Sequence, residues 1–231
     1  MYFTAKLSLY SESIPQLFVG RSASKPLRDD DRSIAKVIHT GGPSEVGVSK
    51  SGRFIVKLIK TRTWHERGKA LWGHSRLNKE ITGNRLLKKL GIQVPKILET
   101  AVYLLPLIGK TFLGYYIMEN LHPKGFHSIT DLLESRSLQP NELERIIDLF
   151  YIDLLKMRTE RIVYSDLHLG NLMSDHEQLV WIDTGVSNHR WSSNKKFERK
   201  FNDSIRRLLK SKAFRAHLSA YQQKFQTLMF A

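Results

Sequence analysis

The chain contains no cysteine, which excludes disulfide staples, thiolate zinc sites and a thiol nucleophile. Long hydrophobic runs are also missing. The longest, Ala101 to Gly109, is broken by Pro106 and falls well short of the about 20 residues that a membrane-spanning helix requires. The opening, Met1 to Gly20, has no basic flank leading into an apolar core, so no secretory signal is expected there. A G-x-x-x-x-G-K-[ST] phosphate loop and an H-E-x-x-H zinc motif are both absent. His122 and His127 lack the i, i+4 spacing of a helical zinc pair, so no zinc site is expected. A cytoplasmic protein is the expectation.

Acidic residues are in short supply. Lys and Arg number 37 against 22 Asp and Glu, a formal net charge of +15. An excess of this size favours an anionic partner: nucleic acid, acidic lipid or phosphorylated glycolipid. It equally describes a solvated basic face.

Residues 1–33 are polar and include the run Asp29, Asp30, Asp31, Arg32; they read as a loosely held leader. From Ile34 the pattern predicts a strand, a turn-rich stretch with Gly41, Gly42, Pro43 and Gly47, and a second strand from Arg53 to Ile59. A helix carrying Leu77, Ile81, Leu87 and Leu90 is predicted to stop at Gly91. Two further strands follow, near Lys96 to Leu105 and Thr111 to Glu119. The second half turns helical. Asn141 with Glu144 resembles a capping box, and Leu143, Ile146, Ile147, Phe150, Leu154 and Met157 share one face of a long helix. Short strands, Arg161 to Tyr164 and Leu179 to Ile182, flank the polar segment Ser165 to Gln178. Residues 195 to 228 read as helical. Strands first and helices afterwards predict an α+β fold, divided into a leader 1–33, a strand-rich lobe 34–120 and a helical lobe 121–231.

The chemistry concentrates in Tyr164-Ser165-Asp166-Leu167-His168-Leu169-Gly170-Asn171 and, after a short apolar strand, Ile182-Asp183-Thr184-Gly185. An Asp five residues before an Asn, followed by a second Asp two residues before a Gly, is the layout of the kinase catalytic loop and metal-binding segment. In that layout Asp166 accepts the proton of the attacking hydroxyl, while Asn171 and Asp183 hold Mg²⁺ against the phosphates of ATP. His168 either tunes Asp166 or bonds the backbone. Upstream, Phe54-Ile55-Val56-Lys57 is similar to the kinase strand lysine motif. Lys57 would grip the α- and β-phosphates, Glu80 would pair with it from the following helix, and Ile55 would roof the adenine. Strand alternation turns the competitor Lys60 to the opposite face. The bland alternatives are an edge lysine on a half-exposed strand and a solvated Glu80. The glycines between Gly41 and Gly52 stand where a phosphate-covering loop belongs, without its G-x-G-x-x-G spacing. Ser165 replaces the Arg before the catalytic Asp, and Thr184 replaces the Phe of D-F-G. The missing Arg argues against control by activation-loop phosphorylation.

In motif order from Ile34 to Lys210, the chain resembles the bacterial lipopolysaccharide core kinases, including the small heptose kinases. The resemblance rests on Gly52-Arg53-Phe54-Ile55-Val56-Lys57, a basic and aromatic insertion before the Glu80 helix, the Asp166-to-Asn171 loop, Asp183 and a basic tail. It implies a two-lobed, protein-kinase-like fold with a reduced C-lobe. It also implies an ATP-dependent transfer to a sugar hydroxyl of an anionic glycolipid, at the inner face of the bacterial inner membrane. Arg62, Arg67, Lys69, Arg76 and Lys79, with Trp64 and Trp72, are candidates for peripheral contact with an acidic membrane. Lys195, Lys196, Arg199, Lys200, Arg206, Arg207 and Lys210 form a second basic surface.

Three rivals share parts of this pattern. A small atypical kinase associated with tRNA modification would continue its metal-binding Asp into an acidic helix, whereas here Asn188-His189-Arg190-Trp191 follows. An aminoglycoside or choline kinase would carry an acidic pocket. A pseudokinase or basic nucleic-acid-binding module would not need Lys57, Asp166, Asn171 and Asp183 together, so nucleic acid is not the expected partner.

Overall fold

The computed structural model describes residues 2–7, 16–22, 27–42, 44–61, 66, 75–103 and 112–230. The protein is a mixed α+β chain with antiparallel sheets, as the sequence predicts. It divides into two compact units. The first comprises Met1–Asn78 and Pro95–Pro123, the second Lys79–Val94 and Lys124–Ala231.

Seven strands make the sheet of the first unit: β1 (Tyr2–Leu7), β2 (Gln16–Ser22), β3 (Ile34–Gly41), β4 (Ser44–Ser49), β5 (Phe54–Lys60), β6 (Ile97–Tyr103) and β7 (Phe112–Glu119). Their spatial order is β1-β2-β6-β7-β5-β4-β3, with every neighbouring pair antiparallel. Strands β5 and β7 are buried along almost their whole length, so apolar side chains stand on both of their faces. The edge strand β3 is mostly exposed and twice irregular in register, a common way of blunting an open edge. Gly47, expected in a turn, lies inside β4 opposite Val37 and Val56. The two glycine-containing stretches around it read as one long turn, and only pairing with both neighbours reveals the strand.

The supposed leader is part of this unit. Strands β1 and β2 form a hairpin that joins the sheet through β6, and Asp29–Arg32 form a short helix, α1. Asp31 and Arg32 are buried because distant strands supply their partners. Arg53 Nη2 donates to Asp31 at 2.9 Å. Arg32 donates to both carboxylate oxygens of Glu99, at 2.8 and 3.0 Å, and the Tyr115 hydroxyl donates to the same carboxylate. Glu99 and Tyr115 share a sheet face with Val56, Leu58 and Ile117, which form the apolar core of this unit with Ile34 and Ala101.

Helix α2 (Arg76–Lys89) continues from the first unit into the second. The sequence places the division at 120/121, but residues 79–94 belong to the second unit, where Leu87 and Ile92 enter its apolar core. As predicted, the chain turns at Gly91 (φ +70°), with Ile92 N–H donating to Leu87 C=O. The second unit continues through β8 (His127–Ser128), α3 (Ile129–Glu134), α4 (Pro140–Thr159), β9 (Ile162–Tyr164), β10 (Leu172–Ser174), β11 (Leu179–Trp181) and β12 (Val186–Asn188). Helices α5 (Asn194–Lys210), α6 (Lys212–His217) and α7 (Gln222–Thr227) follow. Strands β8, β10 and β11 form one small antiparallel sheet, and β9 with β12 forms a two-stranded ribbon.

Helix α4 begins two residues earlier than the Asn141 signal predicts, with Gln139 in place of Asn141 as its N-cap. Pro140 fits the first turn, where no N–H is needed, and Glu142 accepts from Gln139 N–H at 2.7 Å. The predicted 195–228 helix is interrupted at Ser211, which adopts extended backbone angles and caps α6 by accepting from Phe214 N–H. At the centre of this unit the fully buried Trp181 packs against Phe150 and Tyr164, with centroids 5.5 and 5.2 Å away. Its indole N–H donates to Asp153 at 2.9 Å. Burial pushes that carboxyl above its ordinary range, and the hydrogen bonds from Trp181 and Lys156 only partly oppose it. Among the described residues no helix is long and apolar enough to cross a membrane.

Candidate active site

All three residues of β9 are buried, so the chain leaves the core abruptly at Ser165 and Asp166, both exposed. Leu167 and Leu169 turn back into the core and anchor the loop at short intervals. A single 3₁₀ turn, Leu169–Asn171, closes it, with Asn171 N–H donating to His168 C=O at 3.1 Å. Asn171 itself is buried. Its amide nitrogen donates to the Asp166 carbonyl at 3.0 Å, so the amide oxygen is the atom left to face a cation. The His168 ring lies against Gly170. Among the described residues no hydrogen bond joins it to Asp166.

The hairpin β10–β11 returns the chain beside this loop, and Ile182 N–H donates to the Asn171 carbonyl at 3.0 Å. Asp183 follows directly. Its carboxylate accepts from Gly185 N–H at 3.2 Å, and its carbonyl accepts from the Tyr164 hydroxyl at 2.6 Å. The phenol thereby ties the segment containing Asp183 to the strand that launches the Asp166 loop. Burial pushes the Tyr164 hydroxyl well above its ordinary pKa, and the carboxylates of Asp183, Asp166 and Glu80 push it further. Three of the acids singled out by sequence thus act on one buried hydroxyl.

Glu80 is fixed from the other side of the same segment. The Thr184 hydroxyl donates to the Glu80 carbonyl at 2.8 Å, and a Cβ at Gly83 would stand 1.8 Å from the Thr184 carbonyl oxygen. Helix α2 therefore lies backbone against backbone on Asp183-Thr184-Gly185. In an ordinary helix interior, Gly→Ala gains up to about 1 kcal/mol. At Gly83 the sign reverses, and Gly83→Ala is expected to destabilise the protein by about 3 kcal/mol, the upper end of overpacking costs. Chemical denaturation measures this directly, and a variant as stable as the parent would remove the close contact from the account.

Helix α5 buttresses the loop from a third direction. Ser204 donates to the Tyr164 carbonyl at 2.7 Å and Arg207 to the Ser165 carbonyl at 3.1 Å. The sequence pattern gives no role to Tyr164, Gly83 or Ser204. Tyr164 opens the motif, whereas Ser204 lies 40 residues away with no spacing that marks it.

Lys57 and Ile55 belong to the first unit and Glu80 to the second, so the expected Lys57–Glu80 pair would join residues of different units. Within its own unit Lys57 lies on an interior strand, between Val46 and Tyr116, and is only 7 % exposed. That is not the edge lysine of the bland reading. Its ammonium stands 5.8 Å from the centroid of the Tyr116 ring. Ile55, equally buried, shares the face of Lys57, opposite the face carrying Val56 and Leu58. Lys60 reaches Glu45 at 3.4 Å; Glu45 stands opposite Leu58, so the competitor is turned away from Lys57.

Arg62, Arg67, Lys69, Trp64 and Trp72 lie outside the described residues. Arg76 is not a free surface cation: it pairs with Glu66 at 3.2 Å and donates to the Lys60 carbonyl. Among the described residues no cluster of three or more His, Cys, Asp or Glu side chains forms a metal site by itself. Mg²⁺ keeps several waters and takes one or two protein carboxylates alongside phosphate oxygens. The hard oxygen donors of Asp183 and Asn171 fit that demand.

No protein-family model matches the chain, and no curated protein sequence matches it significantly.

Proposed function

We propose that this protein is an ATP- and Mg²⁺-dependent kinase of the two-lobed, protein-kinase-like kind with a reduced C-lobe. Its proposed acceptor is a sugar hydroxyl, a heptose, on the inner core of lipopolysaccharide. The observation that carries the phosphotransfer reading is the bonding between the two motif segments: Asn171 Nδ2 to the Asp166 carbonyl and Ile182 N–H to the Asn171 carbonyl. These bonds hold a carboxylate, an amide oxygen and a second carboxylate in fixed backbone relation, as in-line transfer requires.

Asp166, exposed at the loop tip, takes the proton of the attacking hydroxyl as its oxygen bonds to the γ-phosphorus and ADP departs. Asp183 and Asn171 would hold Mg²⁺, which neutralises phosphate charge when bound. Lys57 grips the α- and β-phosphates, and Ile55 covers the adenine. The acceptor rests on the family resemblance together with the net charge of +15, which suits an anionic glycolipid at the inner face of the inner membrane.

Incubation of the purified protein with ATP, Mg²⁺ and core glycolipid, followed by mass spectrometry, tests both levels. The glycolipid is expected to gain one phosphate, and chelation of Mg²⁺ to prevent it. Mg²⁺-dependent ATP turnover without glycolipid phosphorylation would reject the acceptor while keeping the kinase class. No nucleotide binding or turnover at all would reject both.

A further inference from the structure

We infer that the turn at residues 188–193, with the first half of α5, is a docking surface for an anionic phospholipid bilayer. The inference stands on these residues alone and does not depend on phosphotransfer. Trp191 is 97 % exposed, an unusual position for the largest apolar side chain. The turn that carries it is not loose. Ser192 N–H donates to the His189 carbonyl at 2.9 Å, and Arg190 N–H to Asn188 Oδ1 at 2.8 Å. The His189 ring meets the Ser192 hydroxyl at 3.0 Å. Arg161 then clamps the turn from below, donating to the His189 carbonyl, the Ser192 carbonyl and Asn194 Oδ1 at 3.2, 2.6 and 2.6 Å. Its guanidinium stacks over Phe197. The indole is thus presented on a preordered turn, so little ordering entropy remains to be lost on docking.

The same turn and the first half of α5 carry Arg190, Lys195, Lys196, Arg199 and Lys200, all exposed. Among the described residues none of them has a carboxylate partner, and the nearby Glu198 is engaged by Arg158 at 2.9 Å. Lys195 and Lys196 occupy the first turn of α5, which holds no acid; cations there oppose the helix macrodipole. Stability alone gives no reason for that choice. The buried His189 registers the same field: burial lowers its pKa, and Lys200, Lys196, Arg161 and Lys79 lower it further. The opposite face of α5 buries Phe197, Phe201, Ile205 and Leu208 in the core, leaving the cationic face outward.

An exposed indole on an ordered turn that leads into a cationic helix face matches the interface of an acidic bilayer. The ring partitions to headgroup depth while the cations meet lipid phosphates. Single-stranded nucleic acid is instead bound along a groove by successive stacked aromatics, and among the described residues the one other exposed large aromatic is Phe230.

Co-sedimentation of the nucleotide-free 231-residue chain with phosphatidylcholine vesicles, with and without phosphatidylglycerol, tests the inference. Binding is expected only to the phosphatidylglycerol vesicles, and it should weaken steeply as salt shortens the Debye length from ~10 Å at 0.1 M to ~3 Å at 1 M. Trp191→Ala should weaken it by about tenfold, with Trp191→Phe restoring most of the loss. Combined Lys195→Glu, Lys196→Glu and Arg199→Glu should cost roughly a hundredfold. Circular dichroism checks the fold of each variant, and the exposed Trp191 pair keeps the test valid if the charge-reversed variant does not fold. Unchanged binding by the Trp191 and charge-reversed variants would overturn the inference, as would absence of binding to the phosphatidylglycerol vesicles or equal binding to both kinds. Trp191-dependent binding of a single-stranded oligonucleotide without vesicle binding would overturn it in favour of nucleic acid.

Discussion

Asp183→Ala is expected to lower Mg²⁺-dependent phosphate transfer by about a thousandfold or more, since Lewis-acid stabilisation is worth several kcal/mol and each 1.36 kcal/mol is a factor of ten. The fold should survive. The segment holding Asp183 has three anchors: its own carbonyl accepts from the Tyr164 hydroxyl, Ile182 N–H donates to the Asn171 carbonyl, and the Thr184 hydroxyl donates to the Glu80 carbonyl. None of these bonds uses the Asp183 carboxylate. A steady-state assay across a Mg²⁺ titration, paired with a denaturation curve, separates the two effects. Near-normal turnover would take Asp183 out of the metal role, and a collapsed fold would make the carboxylate structural.

Asp166→Asn is expected to cut the chemical rate by roughly 10²–10⁴-fold, the usual contribution of general acid–base catalysis, with nucleotide affinity nearly unchanged. An amide cannot accept the hydroxyl proton, while the loop geometry depends on the Asp166 carbonyl, which the substitution leaves bonded to Asn171. Because the Asp166 side chain is exposed, its replacement disturbs no packing. Single-turnover measurements together with nucleotide titration distinguish the outcomes. A large loss of ATP affinity at a preserved rate would assign Asp166 to binding instead.

The motif residues were legible because their spacing is short. Five residues from Asp166 to Asn171 span one loop, and Asp183 to Gly185 spans one turn, so the chain itself limits their geometry. The supports of the site were not. Ser204 and Gly83 act on Tyr164 and Thr184 from 40 and about 100 positions away, and a serine or glycine inside a helical pattern carries no mark of its partner. The leader was misread for the same reason. Asp31 and Arg32 look solvated until Arg53 and Glu99 are brought to them.

By itself the sequence determined the mixed α+β character, most of the elements and the exclusion of thiol chemistry, because hydrophobic period, caps and composition are local properties. It also singled out the residues on which the proposed chemistry rests. Tertiary structure decided the sheet order, the entry of β1 and β2 into the sheet and the assignment of residues 79–94 to the second unit. It likewise decided that Lys57 is buried and Trp191 exposed. A residue's own neighbours in sequence specify which face it occupies. What covers that face is set by long-range packing, and the local pattern of the chain does not contain it.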